Sequence, residues 1–288
     1  MSTNPILPGF HPDPTICRVG GEYFLATSTF EYFPGVPVYR SDDLLNWELI
    51  GNVLNRDSQL HLPRGASGAS RGIYAGTLRH HDGVFWMVTT NVDEIQRGHL
   101  IVHASDPRGP WSDPVYAHGT IGIDPDLAWD AEGTCYLTWK DAIGDCIAQA
   151  RIDPTTGELL EEPRTLTKGT GLAHPEGPHV IRRGDWWYLV TAEGGTHTGH
   201  VVNVARAHSI EGPFEPRPAG PILTHRSTTD PVQATGHADL VERSDGSWAL
   251  VHLGIRQRGS FPRWHVNGRE TWRILAVLAT PDDLAGCQ

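Results

Sequence analysis

Five times along this 288-residue chain, a turn glycine is followed by a short aromatic-rich apolar run. The runs are GEYFLAT at Gly21, GVFWMVT at Gly83, GTCYLTW at Gly133, GDWWYLV at Gly184 and GSWALVH at Gly246, spaced 62, 50, 51 and 62 residues apart. Each is rich in aromatic and β-branched residues, has no helical period, and is bounded by turn formers, which marks it as a strand. A second strand-like segment precedes each glycine: DPTICRV, AGTLRHHD, DPDLAWDAE, EGPHVIRR and HADLVERSD. Each pair reads as a hairpin. Downstream, SDDLLNWEL, SDPRGPWSD, IDPTTGEL and HSIEGPFEP read as turns into an outer strand. About fifty residues and about four strands per unit describe a propeller blade. The expected fold is therefore all-β, a five-bladed β-propeller forming a single domain over residues 1–288. A sandwich or barrel would need five in-register repeats to arise by accident.

Composition narrows the function classes. Lys and Arg number 23 against 34 Asp and Glu, a formal net charge of −11. That excess of acid argues against nucleic acid or an anionic membrane as a partner and suits a neutral substrate. The four cysteines have no CxxC spacing and read as reduced thiols. The N-terminal segment MSTNPILPGFHPDP lacks a basic and apolar leader, and nowhere do 18 apolar residues run together. The expectation is a soluble cytoplasmic protein.

In a propeller the first strand of each blade lines the axis, so residues opening those strands converge at one mouth. Asp13 lies 8 residues before Gly21, Asp124 lies 9 before Gly133, and Glu176 lies 8 before Gly184. His237 lies 9 before Gly246, and the matching place in the second unit holds Tyr74, Ala75 and Gly76. Any one of these acids alone would pass for a turn residue, because Asp-Pro is common at turns. Three at equivalent places raise one another's pKa. They also offer the protonated and ionised carboxyls that acid–base chemistry and glycosidic cleavage need. A metal is the other reading. No ligand motif such as HExxH supports it, and His237 could touch a hydrated cation or be a satisfied polar residue. The RHHD stretch at Arg79–Asp82 is expected in a solvated turn, and Asp126 and Asp239 are expected to be structural.

The segments NPILPGFHPDPTI, YFLATSTFEYFPGVPVYRSDDLLNWELIG, GIYAGTLRHHDGVFWMVTTNV, GIDPDLAWD, HPEGPHVIRRGDWWYLVTAEGG, ATGHADLVE and NGRET resemble glycoside hydrolase family 43. That family groups β-xylosidases and α-L-arabinofuranosidases on a five-bladed propeller. The resemblance implies an exo-acting, inverting hydrolase that releases terminal xylose or arabinofuranose from short oligosaccharides. Asp13 of HPDP would be the general base, Glu176 of EGPH the general acid, and Asp124 the residue that raises the acid's pKa and positions it. It further implies that Arg269 of GRET binds sugar hydroxyls and that Phe30 and Tyr74 wall the sugar. His237 would lie beneath the pocket on the axis, where some relatives hold a calcium ion. No cofactor is required.

The chain departs from the family pattern at Tyr74 and Gly76, where tryptophan and proline are frequent, and after GRET, where atypical closure of the last blade is expected. The C-terminal β-sandwich of close relatives is also expected to be absent, which would open the pocket and leave the domain less stable or dependent on homo-oligomerisation. A non-catalytic sugar-binding propeller is the alternative. A fructan hydrolase is disfavoured, because its second site would read RDP where this chain has IDP.

Overall fold

The computed structural model describes residues 4–60, 68–256 and 274–279. Apart from a 3-10 helix over Val92–Arg97, the regular structure of these residues is all strand. The first antiparallel sheet holds β1 (Thr15–Val19), β2 (Glu22–Ala26), β3 (Gly35–Ser41) and β4 (Glu48–Leu54). The second holds β5 (Thr77–His81), β6 (Val84–Thr89), β7 (His99–Ala104) and β8 (Val115–Ala117). β9 (Gly122–Trp129), β10 (Cys135–Asp141), β11 (Cys146–Asp153), β12 (Glu158–Leu159) and β13 (Arg164–Thr167) form the third. The fourth comprises β14 (Glu176–Arg183), β15 (Trp186–Glu193), β16 (Val201–Ala207) and β17 (Glu215–Pro216). In the fifth, β18 (Val232–Glu242), β19 (Trp248–Arg256) and β20 (Ile274–Ala279) are described.

The predicted hairpins are the first two strands of each sheet. Three of them turn in two residues: Val19 pairs with Glu22 across Gly20-Gly21, His81 with Val84 across Asp82-Gly83, and Arg183 with Trp186 across Gly184-Asp185. Asp82 and Gly83 both have positive φ, 48° and 78°, which suits the right-handed twist of the strands they join. The turns into outer strands also lie where the sequence places them, between β3 and β4, β7 and β8, β11 and β12, and β16 and β17.

The first strands close a ring. β1 packs against β5 and β18, β9 against β5 and β14, and β14 against β18. Every gap between neighbouring sheets holds its own apolar core. Phe24 and Val38 meet Leu78 and Met87 between the first and second sheets, and Val88 meets Leu127 and Leu137 between the second and third. Tyr136 and Ile147 meet Val180 and Leu189 in the next gap, followed by Val190 and Val202 against Leu250. Ile16 and Leu25 with Val241 and Val251 complete the circle, joined by Ile6 and Leu7.

This is a β-propeller, and it explains why the aromatic runs show no inside–outside alternation. Phe24 and Leu25 are adjacent, point to opposite faces, and are both buried, each in a different gap. Truncating such a residue, as in Leu25→Ala, costs about 2–5 kcal/mol. No helix among the described residues is long and apolar enough to cross a membrane.

Candidate active site

At one end of the ring, the residues entering four of the first strands adopt a left-handed backbone. Asp13 has φ 51°, Asp124 55°, Gly177 55° and His237 45°, and the first three each precede a proline. Pro14 should hold Asp13 in extended or polyproline dihedrals on sequence grounds, and the structure corrects this. Proline disfavours the right-handed helical region for the residue before it, and aspartate tolerates the left-handed one. Local bonds keep it there: the Ser28 N–H donates to the Pro12 carbonyl at 3.1 Å, and Ser28 Oγ donates to Asp13 Oδ2 at 2.7 Å. Non-glycine residues in this region concentrate at functional sites.

The register also differs from the sequence count in the fourth sheet. The place held by Asp13, Asp124 and His237 belongs there to Gly177, and Glu176 stands one residue ahead of it. A Cβ at Gly177 would lie 3.1 Å from Cε1 and Nδ1 of His237. The glycine therefore lets the imidazole approach beside Glu176.

These residues form one electrostatic unit. The Gly177 N–H donates to Asp124 Oδ2 at 3.0 Å, which fixes Asp124 next to Glu176. His237 Nδ1 stands 3.7 Å from Asp13 Oδ1, and the two side chains are 7% and 13% exposed. Burial, then the Asp13 charge, raises the Asp124 carboxyl to about 7, against the opposing Gly177 N–H. Burial, then Asp124, raises Glu176 to about 8, against His237. Two carboxyls thus keep their protons close to neutral pH beside a third, the arrangement that general acid–base chemistry uses.

Phe30 and Tyr74 meet edge to face at the rim, their ring centroids 5.3 Å apart. The bridge between Phe30 and Ile73, with backbone bonds of 2.8 and 2.9 Å, brings them together. Burial raises the Tyr74 hydroxyl, and the Asp124 and Asp13 charges add to the effect.

The model of the glycosyl hydrolases family 43 matches residues 2–283. The chain belongs to glycoside hydrolase family 43. It is 44% identical over 271 residues to the non-reducing end alpha-L-arabinofuranosidase BoGH43B of Bacteroides ovatus, covering 93% of this chain and 50% of that protein. With the xylan 1,3-beta-xylosidase of a Vibrio species it shares 42% over 265 residues, 87% of this chain and 49% of the relative. The solved structure of the Bacteroides ovatus xyloglucan PUL GH43B superposes with a TM-score of 0.86 at 42% identity, over 96% of this chain and 53% of that one. The xylan beta-1,4-xylosidase of Bacillus halodurans gives 0.84 at 37%, over 90% and 52%. The family-43 chain spans about half the length of the curated relatives it matches.

Of the expected site residues, Asp13, Asp124, Glu176, His237, Phe30 and Tyr74 gather at this mouth, and Arg269 lies outside the described residues. No group of three or more His, Cys, Asp or Glu side chains suited to a metal occurs among the described residues. Calcium takes six to eight oxygen ligands, whereas His237 sets Nδ1 3.7 Å from Asp13 Oδ1 and packs its ring against the place a Gly177 Cβ would take. These donors do not fit calcium as direct ligands.

Three contributors went unnoticed in the sequence. Ser28 holds Asp13. Lys140, whose side chain is 10% exposed and paired with Asp145, lowers the pKa of both raised carboxyls. Arg79, expected in a solvated turn, is instead only 15% exposed and pairs with both Asp126 and Asp239. Its position two residues beyond Thr77 on β5 was the available signal, since strand side chains repeat every second residue.

Proposed function

We propose that the chain is an exo-acting, inverting glycosidase that removes terminal β-D-xylose or α-L-arabinofuranose from short xylo- or arabino-oligosaccharides. The observation that carries this reading is the gathering of three acids at one mouth: Asp124 bonded at 3.0 Å to the N–H that follows Glu176, and Asp13 held by Ser28, with burial raising the Asp124 and Glu176 carboxyls. Glu176 serves as the general acid and gives its proton to the glycosidic oxygen as the bond to the anomeric carbon breaks. Asp13, oriented by Ser28 Oγ, takes a proton from water as the water oxygen bonds to that carbon from the opposite face. The products are the sugar of inverted anomeric configuration and the freed alcohol. Burial, reinforced by Asp124, keeps Glu176 protonated, and Asp124 holds it in place through the Gly177 N–H. Phe30 and Tyr74 offer apolar faces to the sugar ring, and Arg269 is assigned its hydroxyls.

The proton transfers need no cofactor. The five sheets are taken as five blades of a single catalytic propeller, the last closing with residues beyond Arg256. The substrate is a small neutral oligosaccharide met in the cytoplasm, with neither nucleic acid nor membrane as partner. Names of relatives support both sugars, since one similar protein is an arabinofuranosidase and another a xylosidase.

Paired assays on aryl β-D-xyloside and aryl α-L-arabinofuranoside test the activity. Asp13→Asn and Glu176→Gln should each abolish it in a folded protein, and proton NMR should show the inverted anomer first. Near wild-type rates in both variants would overturn the roles. Xylobiose binding without turnover by the wild type would favour a sugar-binding propeller instead.

A further inference from the structure

We propose that Arg79 is a positioning residue for this reaction: its single guanidinium ties together the first strands that carry Asp13, Asp124 and Glu176, and so sets their spacing. The proposal rests on the hydrolase reading above. Arg79 stands on β5, and its hydrogen bonds leave that strand in four directions. Nη1 donates to Asp239 Oδ2 on β18 at 2.7 Å and to the Ile16 carbonyl on β1 at 3.4 Å. Nη2 donates to Asp126 Oδ1 on β9 at 2.7 Å and meets His179 Nδ1 on β14 at 3.1 Å.

Each partner passes the constraint to a neighbouring strand close to a catalytic group. Asp239 Oδ2 accepts from Thr15 Oγ1 at 2.8 Å and from the Ile16 N–H at 3.0 Å, two and three residues after Asp13. Asp126 sits two residues after Asp124, and its Oδ2 accepts from the Val180 N–H at 2.9 Å, four residues after Glu176. Thr77 Oγ1 and His179 Nδ1, 3.3 Å apart, link β5 to β14 again.

Both aspartates are 0% exposed. A buried carboxylate without its cation is strongly destabilising, so the strands cannot keep this spacing when the guanidinium is removed. Arginine's planar fork can serve two carboxylates at once, which a lysine ammonium cannot reproduce. The sugar-walling Phe30 hangs from the β2–β3 connection and Tyr74 precedes β5, and neither is among the groups that the guanidinium bonds. Loss of the hub therefore falls on the turnover step.

The other mouth of the channel makes a direct test feasible. A cavity of about 660 Å³ opens there, lined by Arg79 together with Arg18, His81, Trp129, Arg182 and Trp248. A small cation entering it can reach the place that Arg79→Ala vacates. Arg79→Ala should lower kcat on the aryl glycosides by about 100-fold, the cost of misplacing a catalytic group by about 1 Å, with KM changed less than about threefold. About 20 mM guanidinium chloride, which costs only about 0.1 kcal/mol of stability, should restore kcat about tenfold in Arg79→Ala and leave the wild type unchanged. Urea at the same concentration should do nothing. Arg79→Lys, which keeps the charge, carries the test if the alanine variant does not fold, and should lose kcat about tenfold with KM held.

Wild-type kcat in a folded Arg79→Ala or Arg79→Lys would overturn the proposal, as would a folded alanine variant deaf to guanidinium. A wild type inactive on both glycosides would instead overturn the hydrolase reading.

Discussion

Replacing Glu176 by glutamine should destroy the activity and stabilise the protein, by an amount that grows with pH. In the folded chain Glu176 keeps its proton up to about 8, against 4.5 for an unperturbed glutamate. Between those values the folded state binds more proton than the unfolded one, so the wild type loses stability as pH rises. Below that window both states are protonated and the penalty vanishes; above it the full penalty is present. A shift of that size corresponds to a ceiling of about 5 kcal/mol at about 1.4 kcal/mol per unit. Sharing of the proton with Asp124 and water at the open mouth bring this to about 2 kcal/mol. Glutamine has nearly the same shape and no charge to bury. For a chain of this size about 2 kcal/mol corresponds to about 4–8 °C in Tm. Differential scanning calorimetry of both proteins from about pH 5 to about pH 8 reads the effect as a widening Tm gap in favour of Glu176→Gln. A gap that stays flat, or that turns toward the wild type at the alkaline end, would refute the assignment of a buried, proton-holding Glu176.

Other substitutions separate the remaining roles. Ser28→Ala frees the Asp13 carboxylate from its 2.7 Å bond and should cost about tenfold in kcat and lower Tm by several degrees, since a hydrogen bond to a charged group is worth about 1.5–3 kcal/mol. Lys140→Met removes a positive charge that holds Asp124 and Glu176 down. The alkaline limb of the pH–rate profile should move upward, and a downward move would contradict the charge argument. Gly177→Ala forces a side chain onto a φ of 55° and to within 3.1 Å of the His237 ring. It should lower Tm and activity together, whereas Gly133→Ala, with open space around its Cβ position, should lower Tm alone. Cys17, Cys135 and Cys146 are buried free thiols, and burial pushes Cys17 up to about 12. None of the three should react with a thiol reagent until the protein is unfolded.

Much of the fold was legible because propeller sheets are buried on both faces. That condition forces continuous aromatic runs such as Phe85-Trp86-Met87, and their spacing exposes the repeat. Asp13 and Asp124 were legible for a related reason: an acid opening a strand, followed by proline, recurs in register. The one-residue offset of Glu176 was not legible, because counting back from a turn glycine cannot detect a bulge. One lies between Glu176 and His179 in the pairing with β15. Arg79 was missed because its neighbours His80, His81 and Asp82 give the segment the look of a solvated turn. Its burial depends on partners 47 and 160 residues away, which no local pattern reveals. Ser28 likewise depends on a fold of the chain that returns it to Asp13.

The ring holds aspartates in two layers, and the contrast between them separates chemistry from scaffold. Asp124 and Asp239 are of the same residue type on first strands of the same ring, and both are buried. Burial raises both carboxyls, yet the Arg79 charge outweighs it at Asp239 and brings that group to about 2. Among the described residues no cation pairs with Asp124; the Asp13 charge adds to burial, and the carboxyl rises to about 7. An acid held ionised by a guanidinium cannot donate a proton at working pH, so the Asp239 layer is suited only to holding strands. Acids left facing one another across the mouth retain protons they can give away. Among the described residues the fold thus sets the Arg79 cation where it secures position and keeps it away from the acids where reactivity is needed. Moving it should reverse the outcome: a cation placed against Asp124 should depress both raised carboxyls and shift the alkaline limb of activity to lower pH. An alkaline limb left in place by a folded variant whose Asp124 carboxyl has dropped, read by NMR titration, would show that Asp124 does not govern the acid.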